Sequence, residues 1–267
     1  MIHQLTNIYP NAKLGKNVTV EAFTTIYDDV EIGEGTWIGP NVTIMDGARI
    51  GKNCKIFPGA VVSGIPQDLK YDGEKTLTII GDNTVIRECV TISKGTTDKY
   101  KTVVGSNCLL MAYVHVAHDC NIGNNCILAN SVQVAGHVEI HDYAIIGGTS
   151  AIHQFVRVGE HSIISGGSLV RKDVPPFIKA ARSPLSYCGI NTVGLKRRDF
   201  TNDSIDNLKE IYRNIYLKGY NNSKAISVIS QSMKPSQEKE TILDFLENSQ
   251  RGIIKGYSGS VGNGNQE

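Results

Sequence analysis

Three histidine-containing segments near the middle of the chain carry the side chains best suited to proton transfer. They read VHVAHDC at 114–120, AGH at 135–137 and AIHQF at 151–155. A neutral imidazole can take a proton from a hydroxyl group near pH 7. A glycine N–H can approach a substrate closely because no Cβ intervenes, and it can then stabilise a developing oxyanion. We therefore predict His118 as a general base and the Gly136 N–H as an oxyanion donor.

The spacing of these groups predicts that they lie side by side. Eighteen residues separate His118 from Gly136 and Gly136 from Gln154, and the same step joins Asp119 to His137. In a solenoid with eighteen residues per coil, such residues stack about 4.8 Å apart, the distance between neighbouring strands. Asp119 could orient an imidazole, but neighbours on a regular strand point to opposite faces. Strand geometry therefore argues against Asp119 orienting His118, and the sequence leaves the role of Asp119 open.

A repeat of six residues decides which elements position these groups. An aliphatic residue occurs at every sixth position from Ile8 to Val170, with breaks only at Asp68, Glu74 and Asp98, and the frame never slips. A small or β-branched residue stands two positions before each aliphatic one. Four of the six cysteines occupy these positions, and we interpret them as core filler rather than as metal or redox ligands: Cys54, Cys108, Cys120 and Cys126.

A period of six fits neither a helix nor a flat sheet, whose periods are about 3.6 and 2. It predicts short strands joined by turns and wound into a three-sided prism, with the aliphatic and small residues pointing inward. We predict a mainly β protein, with a parallel β-helix of nine to ten coils over residues 1–190 and loops at 63–77 and 93–103. A helical pattern predicts a C-terminal α-helical domain over 191–255, followed by a disordered tail at 256–267. Glycines after the aliphatic positions are expected at corners with unusual backbone dihedrals.

Composition argues against several classes of function. Lys plus Arg is 27 and Asp plus Glu is 26, so no basic excess favours nucleic acid or an anionic membrane surface. No run of about 18 apolar residues predicts a membrane span. The N-terminus lacks the apolar segment of a signal peptide, and no C-x-x-C pair occurs. These features predict a cytoplasmic protein.

The repeat resembles the hexapeptide repeat of the left-handed parallel β-helix family, and the left hand is implied by that resemblance. Further segments make the chain similar to the UDP-N-acetylglucosamine O-acyltransferase family, which performs the first step of lipid A synthesis. These segments are IPQDLKY at 65–71, HVAHDCNIGN at 115–124, ILANSVQVAGHVEI at 127–140, IIGGTSAIHQF at 145–155, DVPPF at 173–177 and NTVGLKRRDF at 191–200.

The resemblance implies an activity and a set of roles. It implies transfer of a 3-hydroxyacyl chain from acyl carrier protein to the 3-hydroxyl of UDP-N-acetylglucosamine by a homotrimer, with active sites between subunits and no metal or other cofactor. His118 would be the base and Gly136 the oxyanion donor. The sugar would be held by Asp68, Lys70, His115, His137 and Gln154. The diphosphate and uridine would be held by Gln67, Asn191, Arg197 and Arg198.

Two glycines are candidates for the acyl-chain pocket. Gly148 and Gly166 are eighteen residues apart and therefore form a strip without side chains. The resemblance places an acyl-length determinant at Gly166. Because His118 and Gly166 fall on different sides of the prism, we expect one acyl chain to reach both only across a subunit boundary. Two residues depart from the family pattern: Val193 stands where relatives often carry a glutamate, and Pro184 where they may carry a histidine.

Three other functions fit parts of the pattern. A γ-type carbonic anhydrase would bind zinc through His115, His118 and His137, but two of these are three residues apart on a strand and point to opposite faces. The N-acyltransferase that adds the second acyl chain would lack the QDLKY and KRR motifs. A non-catalytic β-helix would not explain two polar loops beside a histidine column. The sequence leaves open the acyl length and whether the acceptor bears a 3-hydroxyl or a 3-amino group.

Overall fold

The computed structural model describes residues 1–256 and shows a triangular prism built from three sheets, which are parallel except where Ile178–Ala181 pairs with Ser186–Ile190. Successive strands pass to the first, second and third faces in turn, so each coil of the chain adds one strand to each face. The tail predicted at 256–267 lies outside the described residues, apart from Gly256, which belongs to a strand.

Most strands are only two residues long. Those of the first face are Asn7–Ile8, Thr25–Ile26, Thr43–Ile44, Val61–Gly64, Thr91–Ser93, His115–Val116, Gln133–Val134, Ala151–Ile152 and Leu169–Val170. Those of the second face are Lys13–Leu14, Glu31–Ile32, Ala48–Ile50, Leu77–Ile80, Lys101–Val104, Asn121–Ile122, Glu139–Ile140 and Arg157–Val158. Those of the third face are Thr19–Val20, Trp37–Ile38, Lys55–Ile56, Val85–Ile86, Leu109–Leu110, Ile127–Leu128, Ile145–Ile146, Ile163–Ile164, Ile178–Ala181, Ser186–Ile190 and Lys255–Gly256.

The six-residue frame is confirmed by the burial of its aliphatic positions. Ile26, Ile86 and Leu128, which lie in the first, middle and last part of the repeat region, are each 0% exposed. The four cysteines interpreted as core filler are also buried. The core is therefore a continuous column inside the prism, and every other strand residue faces outward.

Both predicted loops interrupt the prism without shifting its register. Val61 pairs with Thr91, thirty residues further on, and Thr91 pairs with His115, twenty-four further on. A plain coil takes eighteen residues, as in the pairing of His115 with Gln133. The first loop thus adds twelve residues and the second six, and both are multiples of the repeat. This explains why the aliphatic frame continues unshifted through the insertions.

The predicted reason for the glycines after the aliphatic positions is wrong. Gly33 and Gly105, for example, do not have the positive φ that characterises other glycines of the chain. A Cβ on Gly105 would lie 2.6 Å from the backbone of Gly123 in the next coil, so a side chain is excluded by close packing between coils. The positive φ values fall two residues later in each turn and are carried mainly by residues other than glycine, such as Asn53 and Asn125. Asparagine tolerates this left-handed conformation better than most residues do.

Four helices follow the prism and cover its C-terminal end. They are α1 (Thr192–Lys196), α2 (Asn202–Tyr216), α3 (Asn222–Ser232) and α4 (Gln237–Glu247). The hydroxyl of Tyr212 donates to the Pro176 carbonyl at 2.5 Å and fixes α2 to the last coil. The N-cap of α2 is Thr201, whose side chain accepts from the Ser204 N–H. Within residues 1–256, no helix has the length and apolarity needed to cross a membrane.

A candidate active site at the histidine corner

The candidate catalytic residues and both inserted loops occupy the same corner of the prism. Each lies where the chain passes from a strand of the first face to the next strand of the second face. We call this region the histidine corner, and define it as residues 65–76, 94–100, 117–120, 135–138 and 153–156. The fold therefore places two irregular loops directly beside the histidine column.

His118 is oriented by Asp119, contrary to the prediction from strand geometry. Its Nδ1 lies 2.8 Å from Asp119 Oδ2. The two residues stand at a turn in which Asp119 has a φ of +59°, so the alternation of a regular strand does not apply. Asp119 is 0% exposed and His118 about one-seventh exposed, with a side-chain value of 14%. The pair thus has a buried carboxylate behind a partly open imidazole.

The contact with Asp119 determines which nitrogen of His118 can act as a base. An ionised carboxylate only accepts hydrogen bonds, so Nδ1 carries the hydrogen and Nε2 presents its lone pair. Nε2 faces the first loop, where Asp68 Oδ2 lies 3.9 Å away. A hydroxyl group bound between His118 and Asp68 would meet the basic nitrogen directly.

Asp119 is held in its charged form by several donors. Burial by itself acts to raise the pKa of this carboxyl. Hydrogen bonds from the Thr96 hydroxyl and N–H, from His118 and from the Lys99 N–H outweigh that effect, and the pKa is lowered. The second loop supplies three of these four donors.

His137 forms the second imidazole of the corner. Its ring stacks on Phe155 with centroids 4.5 Å apart and meets the His118 ring edge-on at 5.1 Å. Its Nδ1 lies 3.2 Å from Asp98 Oδ2, although the geometry does not make a hydrogen bond. The column predicted from the eighteen-residue spacing is therefore present, with the His137 ring between the rings of His118 and Phe155.

His115 lies three residues before His118, on the strand His115–Val116 of the first face. Its Nδ1 is 2.7 Å from the Thr91 hydroxyl. Burial, and to a smaller extent the nearby His118, lowers the pKa of His115 and favours the neutral ring. His115 can therefore offer a neutral ring nitrogen at the edge of the site.

The three histidines of the zinc hypothesis do not come together. Among the described residues, the group that could hold a metal is His118, Asp119 and His137, whose ligand atoms lie within 4.8 Å of one another. Both oxygens of Asp119 already accept hydrogen bonds from the chain. A metal there would displace donors that hold the carboxylate, so this set fits a hydrogen-bonded dyad better than a cation site.

Gly136 lies directly against the imidazole of His118. A Cβ at this position would lie 2.8 Å from both Cε1 and Nε2 of His118, so only glycine leaves the imidazole in place. Within residues 1–256 the Gly136 N–H makes no hydrogen bond. It therefore combines the proximity and the free donor that the oxyanion role requires.

Three predicted sugar and phosphate ligands of this corner face solvent. Gln67, Lys70 and Gln154 are exposed. Asp68 is the loop residue that reaches His118, and its Oδ1 accepts from the Lys70 N–H at 3.0 Å. The first loop thus presents polar side chains near Nε2 of His118.

A groove of about 340 Å³ continues from this corner along the second face. The residues that line it are Lys99, His137, Glu139, Phe155, Arg157, Asp173, Asn248 and Gln250. Lys99 and Arg157 both pair with Glu139 at 3.3 Å, so the groove is polar but largely neutralised.

Three of the four predicted diphosphate and uridine ligands, all except Gln67, lie away from the histidine corner of the same chain. Asn191 is buried; its amide donates to the His161 carbonyl at 2.9 Å and its oxygen caps α1, so it acts as a structural residue here. Arg197 is exposed. The Arg198 guanidinium lies 5.1 Å above the Tyr143 ring, between the second and third faces. In one chain, these residues therefore do not reach the histidine corner.

Behind Arg198 the aromatic rings form a column. Tyr143 stacks on His161 at 4.7 Å, and His161 stacks on Phe177 at 5.6 Å. Burial, together with the nearby Arg198, lowers the pKa of His161 to about 4. A neutral, buried imidazole thus supports the tyrosine that faces the guanidinium.

Gly148 and Gly166 lie at the third corner, where the chain passes from the third face to the first. A Cβ on Gly166 would contact the Gly148 carbonyl oxygen at 3.1 Å, which places the two residues in adjacent coils as predicted. Gly166 is exposed and Gly148 half-buried. They form an open strip, separated from His118 by the first face.

Several residues of the site could not be identified from sequence motifs. Thr96, Asp98 and Glu74 come from the two loops and surround Asp119 and His137. The sequence signal for them was the position of the two loops. Both loops, like His118, lie between a strand of the first face and the next strand of the second face. Only the pairing register shows that this places them at one corner.

Comparisons with known proteins agree with this architecture. Residues 173–254 match the family described as Udp N-acetylglucosamine O-acyltransferase, domain 2, and residues 29–64 and 101–136 match the bacterial transferase hexapeptide repeat. The chain is 60% identical over 246 residues to an acyl-[acyl-carrier-protein]–UDP-N-acetylglucosamine O-acyltransferase of Chlorobaculum tepidum, covering 92% of this chain and 93% of the relative. The enzyme of the same name from Sulfurihydrogenibium is 56% identical, covering 94% and 93%.

Solved structures extend the comparison to the fold. A UDP-N-acetylglucosamine acyltransferase from Bacteroides fragilis superposes with a TM-score of 0.94 at 48% identity, covering 96% of this chain and all of that one. The enzyme from Francisella novicida gives 0.94 at 41% identity, covering 97% and 95%. These matches confirm the predicted left-handed parallel β-helix with its C-terminal helices.

Proposed function

Because the chain belongs to the UDP-N-acetylglucosamine O-acyltransferase family, we propose that its histidine corner transfers an acyl group from acyl carrier protein to UDP-N-acetylglucosamine with His118 as general base. The chain is thus an acyltransferase of lipid A biosynthesis. The finer assignments, a 3-hydroxyacyl donor and the sugar 3-hydroxyl as nucleophile, belong to this proposal. No step of it requires a cofactor.

The reaction can be followed atom by atom. His118 Nε2 removes the proton of the sugar hydroxyl as its oxygen attacks the thioester carbonyl. The Gly136 N–H donates to the oxyanion of the tetrahedral intermediate. When the intermediate collapses, the carbon–sulfur bond breaks and the imidazolium returns its proton to the leaving thiolate. Asp119 stays ionised throughout and stabilises the imidazolium.

One observation carries this mechanism. The buried Asp119 carboxylate accepts from His118 Nδ1 at 2.8 Å, while Nε2 faces an open space between Gly136 and Asp68. This arrangement gives one basic nitrogen a fixed direction beside a free N–H donor, as acyl transfer to a hydroxyl requires.

The proposal is tested by incubating the purified protein with UDP-N-acetylglucosamine and a panel of 3-hydroxyacyl carrier proteins of different lengths. We expect a single acylated sugar nucleotide, with the ester at the 3-position by mass spectrometry and NMR. The analogue with a 3-amino group serves as the second acceptor. Absence of product with every donor, or acylation at another position, would show the proposal to be wrong.

An apolar stripe on the outside of the third face supports a homotrimer. Val85, Leu109, Ile127, Ile145 and Ile163 pair in register and point outward. The matching outward positions of the second face are polar, namely Asn121, Glu139 and Arg157. A row of stacked aliphatic side chains is expected to be covered by another protein surface. We propose that it packs against the first face of a second copy, in threefold symmetry.

This assembly would also bring the separated ligands together. In one chain Arg198 lies at the corner between the second and third faces, remote from the histidine corner. If the third face of one copy covers the first face of the next, that corner meets the neighbour's histidine corner. Arg197 and Arg198 could then contact the diphosphate of a sugar nucleotide held by the neighbouring His118.

The acyl chain would occupy the same interface. The strip of Gly148 and Gly166 lies at the other edge of the third face, so a chain extending from His118 would run toward it between subunits. We expect Gly166→Met to block the far end of this groove and favour shorter donors, because a buried side chain and the acyl chain cannot share the space. The measurement is kcat/KM across the donor panel. Gly166→Ala, whose Cβ would meet the Gly148 carbonyl oxygen at 3.1 Å but which lacks the rest of the methionine side chain, is the matched control.

An unchanged donor preference in Gly166→Met would contradict this placement of the acyl chain. An active monomer would contradict the shared site. Sedimentation equilibrium at the assay concentration measures the oligomeric state independently of the donor preference.

Asp68 is expected to bind the acceptor. We expect Asp68→Ala to raise the KM for UDP-N-acetylglucosamine roughly 10- to 100-fold, because a lost hydrogen bond to a charged group costs about 1.5–3 kcal/mol. The KM for the acyl donor should change much less. Asp72→Ala removes the same charge from an exposed position of the same loop and is the control. Equal changes in both KM values would refute the assignment, and Lys70→Ala provides a second test of the loop.

We assign the protein to the cytoplasm as part of the same proposal. The cysteines of residues 1–256 are free, as expected of a protein kept in a reducing compartment.

A further inference from the structure

The second inserted loop contacts the carboxylate of Asp119 through Thr96. Thr96 is buried and donates two hydrogen bonds to Asp119: its N–H reaches Oδ1 at 3.0 Å and its hydroxyl reaches Oδ2 at 2.6 Å. Oδ2 is also the oxygen that accepts from His118 Nδ1 at 2.8 Å. One carboxylate oxygen is therefore shared between the loop and the imidazole.

We infer that Thr96 is a positioning residue for acyl transfer, which acts by orienting the carboxylate that in turn orients His118. The inference rests on the proposed role of His118 as general base. It assigns the six-residue insertion a task, since without it the turn beside Asp119 would lack the threonine.

The direction of the hydroxyl hydrogen is fixed by its neighbours. An ionised carboxylate can only accept, so the Thr96 hydroxyl must donate to Asp119. Its lone pair accepts weakly from the Asp98 N–H at 3.3 Å. Because both partners of the hydroxyl are defined, it can hold Asp119 in one rotamer and exclude water from Oδ2.

The loop itself has other attachments. The Thr76 hydroxyl donates to the Gly95 carbonyl at 2.6 Å, and the Thr97 N–H donates to Glu74 at 3.2 Å. Two further backbone hydrogen bonds join Lys94 and Gly95 to the prism. The loop is therefore held in place without the Thr96 side chain, and substituting this side chain tests its contact with Asp119.

A hydrogen bond joins Asp119 to His118, and other ionisable groups surround the pair. His137 Nε2 lies 4.0 Å from Asp119 Oδ2, and Asp68 Oδ2 lies 3.9 Å from His118 Nε2. The corner, as defined above, also contains other ionisable side chains: Lys70, Asp72, Glu74, Lys75, Lys94, Asp98, Lys99 and His153. Removing a donor destabilises the anionic form of the dyad, so the apparent pKa at which activity is lost in acid should rise.

The test compares Thr96→Val with Thr96→Ser and measures kcat and kcat/KM for acyl transfer between about pH 5 and pH 9. We expect Thr96→Val to lower kcat roughly tenfold. We also expect the acid limb of the kcat/KM profile to move to a pH about one unit higher. A shift of one pH unit corresponds to about 1.36 kcal/mol, which is close to the free energy of one hydrogen bond to a charged group. Thr96→Ser should restore both. Thr76→Val, which removes a hydroxyl from the attachment of the same loop, should leave the acid limb in place.

Two results would overturn the inference: an unmoved acid limb in Thr96→Val, or an equal shift in Thr76→Val. His118→Ala in the same assay separates this from the wider proposal. If His118→Ala keeps wild-type turnover, the general-base assignment itself is wrong. If His118→Ala loses turnover and Thr96→Val behaves as wild type, only the role of Thr96 is wrong.

Discussion

Replacing His118 by alanine is expected to lower kcat roughly 10²- to 10⁴-fold, the contribution of a well-positioned general base. The loss should fall on kcat more than on the KM of either substrate, because Nε2 acts on the proton in transfer. The measurement is the steady-state rate of sugar acylation by the purified variant.

The fold should survive this substitution. His118 lies on the outer side of a turn, and the aliphatic column inside the prism does not include it. His3→Ala, at an exposed position near the N-terminus, is the matched histidine control and should keep wild-type turnover. A folded His118→Ala protein with wild-type kcat would mean that another group accepts the proton.

Replacing Asp119 by asparagine is expected to be nearly as damaging. The N–H groups of Thr96 and Lys99 both donate to Oδ1 and cannot turn away, so the amide oxygen must take that place. The amide NH₂ then faces His118 Nδ1 and donates to it, which moves the imidazole hydrogen to Nε2. A base with its hydrogen on the wrong nitrogen cannot accept a proton from the sugar, and we expect kcat to fall roughly 10²- to 10⁴-fold.

The matched control is Asp28→Asn. Asp28 also accepts from the backbone of a neighbouring coil, the Asn11 N–H at 3.1 Å, but it lies four coils before Asp119 along the prism. The same change of charge there should leave kcat unaltered. If Asp119→Asn retained most of its activity, the orienting role of the carboxylate would be refuted.

The prism could be predicted from sequence because the same short pattern of inward-pointing residues recurs in every six-residue unit. Each aliphatic position, such as Ile86 or Leu128, must point inward, and the period of six fixes how many residues make one side. The loops could be placed because they interrupt this period. Their insertion in multiples of six preserved the frame on both sides of the breaks.

The relation between His118 and Asp119 could not be predicted by applying a strand rule to a turn. Alternation holds for residues in extended backbone, and the φ of +59° at Asp119 departs from it. The same error misassigned the corner glycines, since the left-handed positions carry asparagine, aspartate and aromatic residues. These include Asn125, His137 and Phe155.

The positions of Arg198 and Thr96 depend on contacts between distant segments. Arg198 reaches Tyr143 only after the chain has left the prism and returned, 55 residues later. Thr96 reaches Asp119 across 23 residues through a loop whose path no repeat dictates. The family resemblance identified Arg198 as a candidate ligand but did not predict at which corner of the prism it lies. No sequence motif identified Thr96.

The most direct test of the account is chemical rescue of His118→Ala by free imidazole, measured as the rate of acylated UDP-N-acetylglucosamine formation at saturating donor and acceptor. If His118 is the general base, imidazole diffusing into the vacated space should restore part of the rate, in proportion to its concentration and to its unprotonated fraction. Gly136→Val, which obstructs the same space with a side chain, should not be rescued. A rate in His118→Ala that does not respond to imidazole at any pH would contradict the assignment of acyl transfer to this nitrogen.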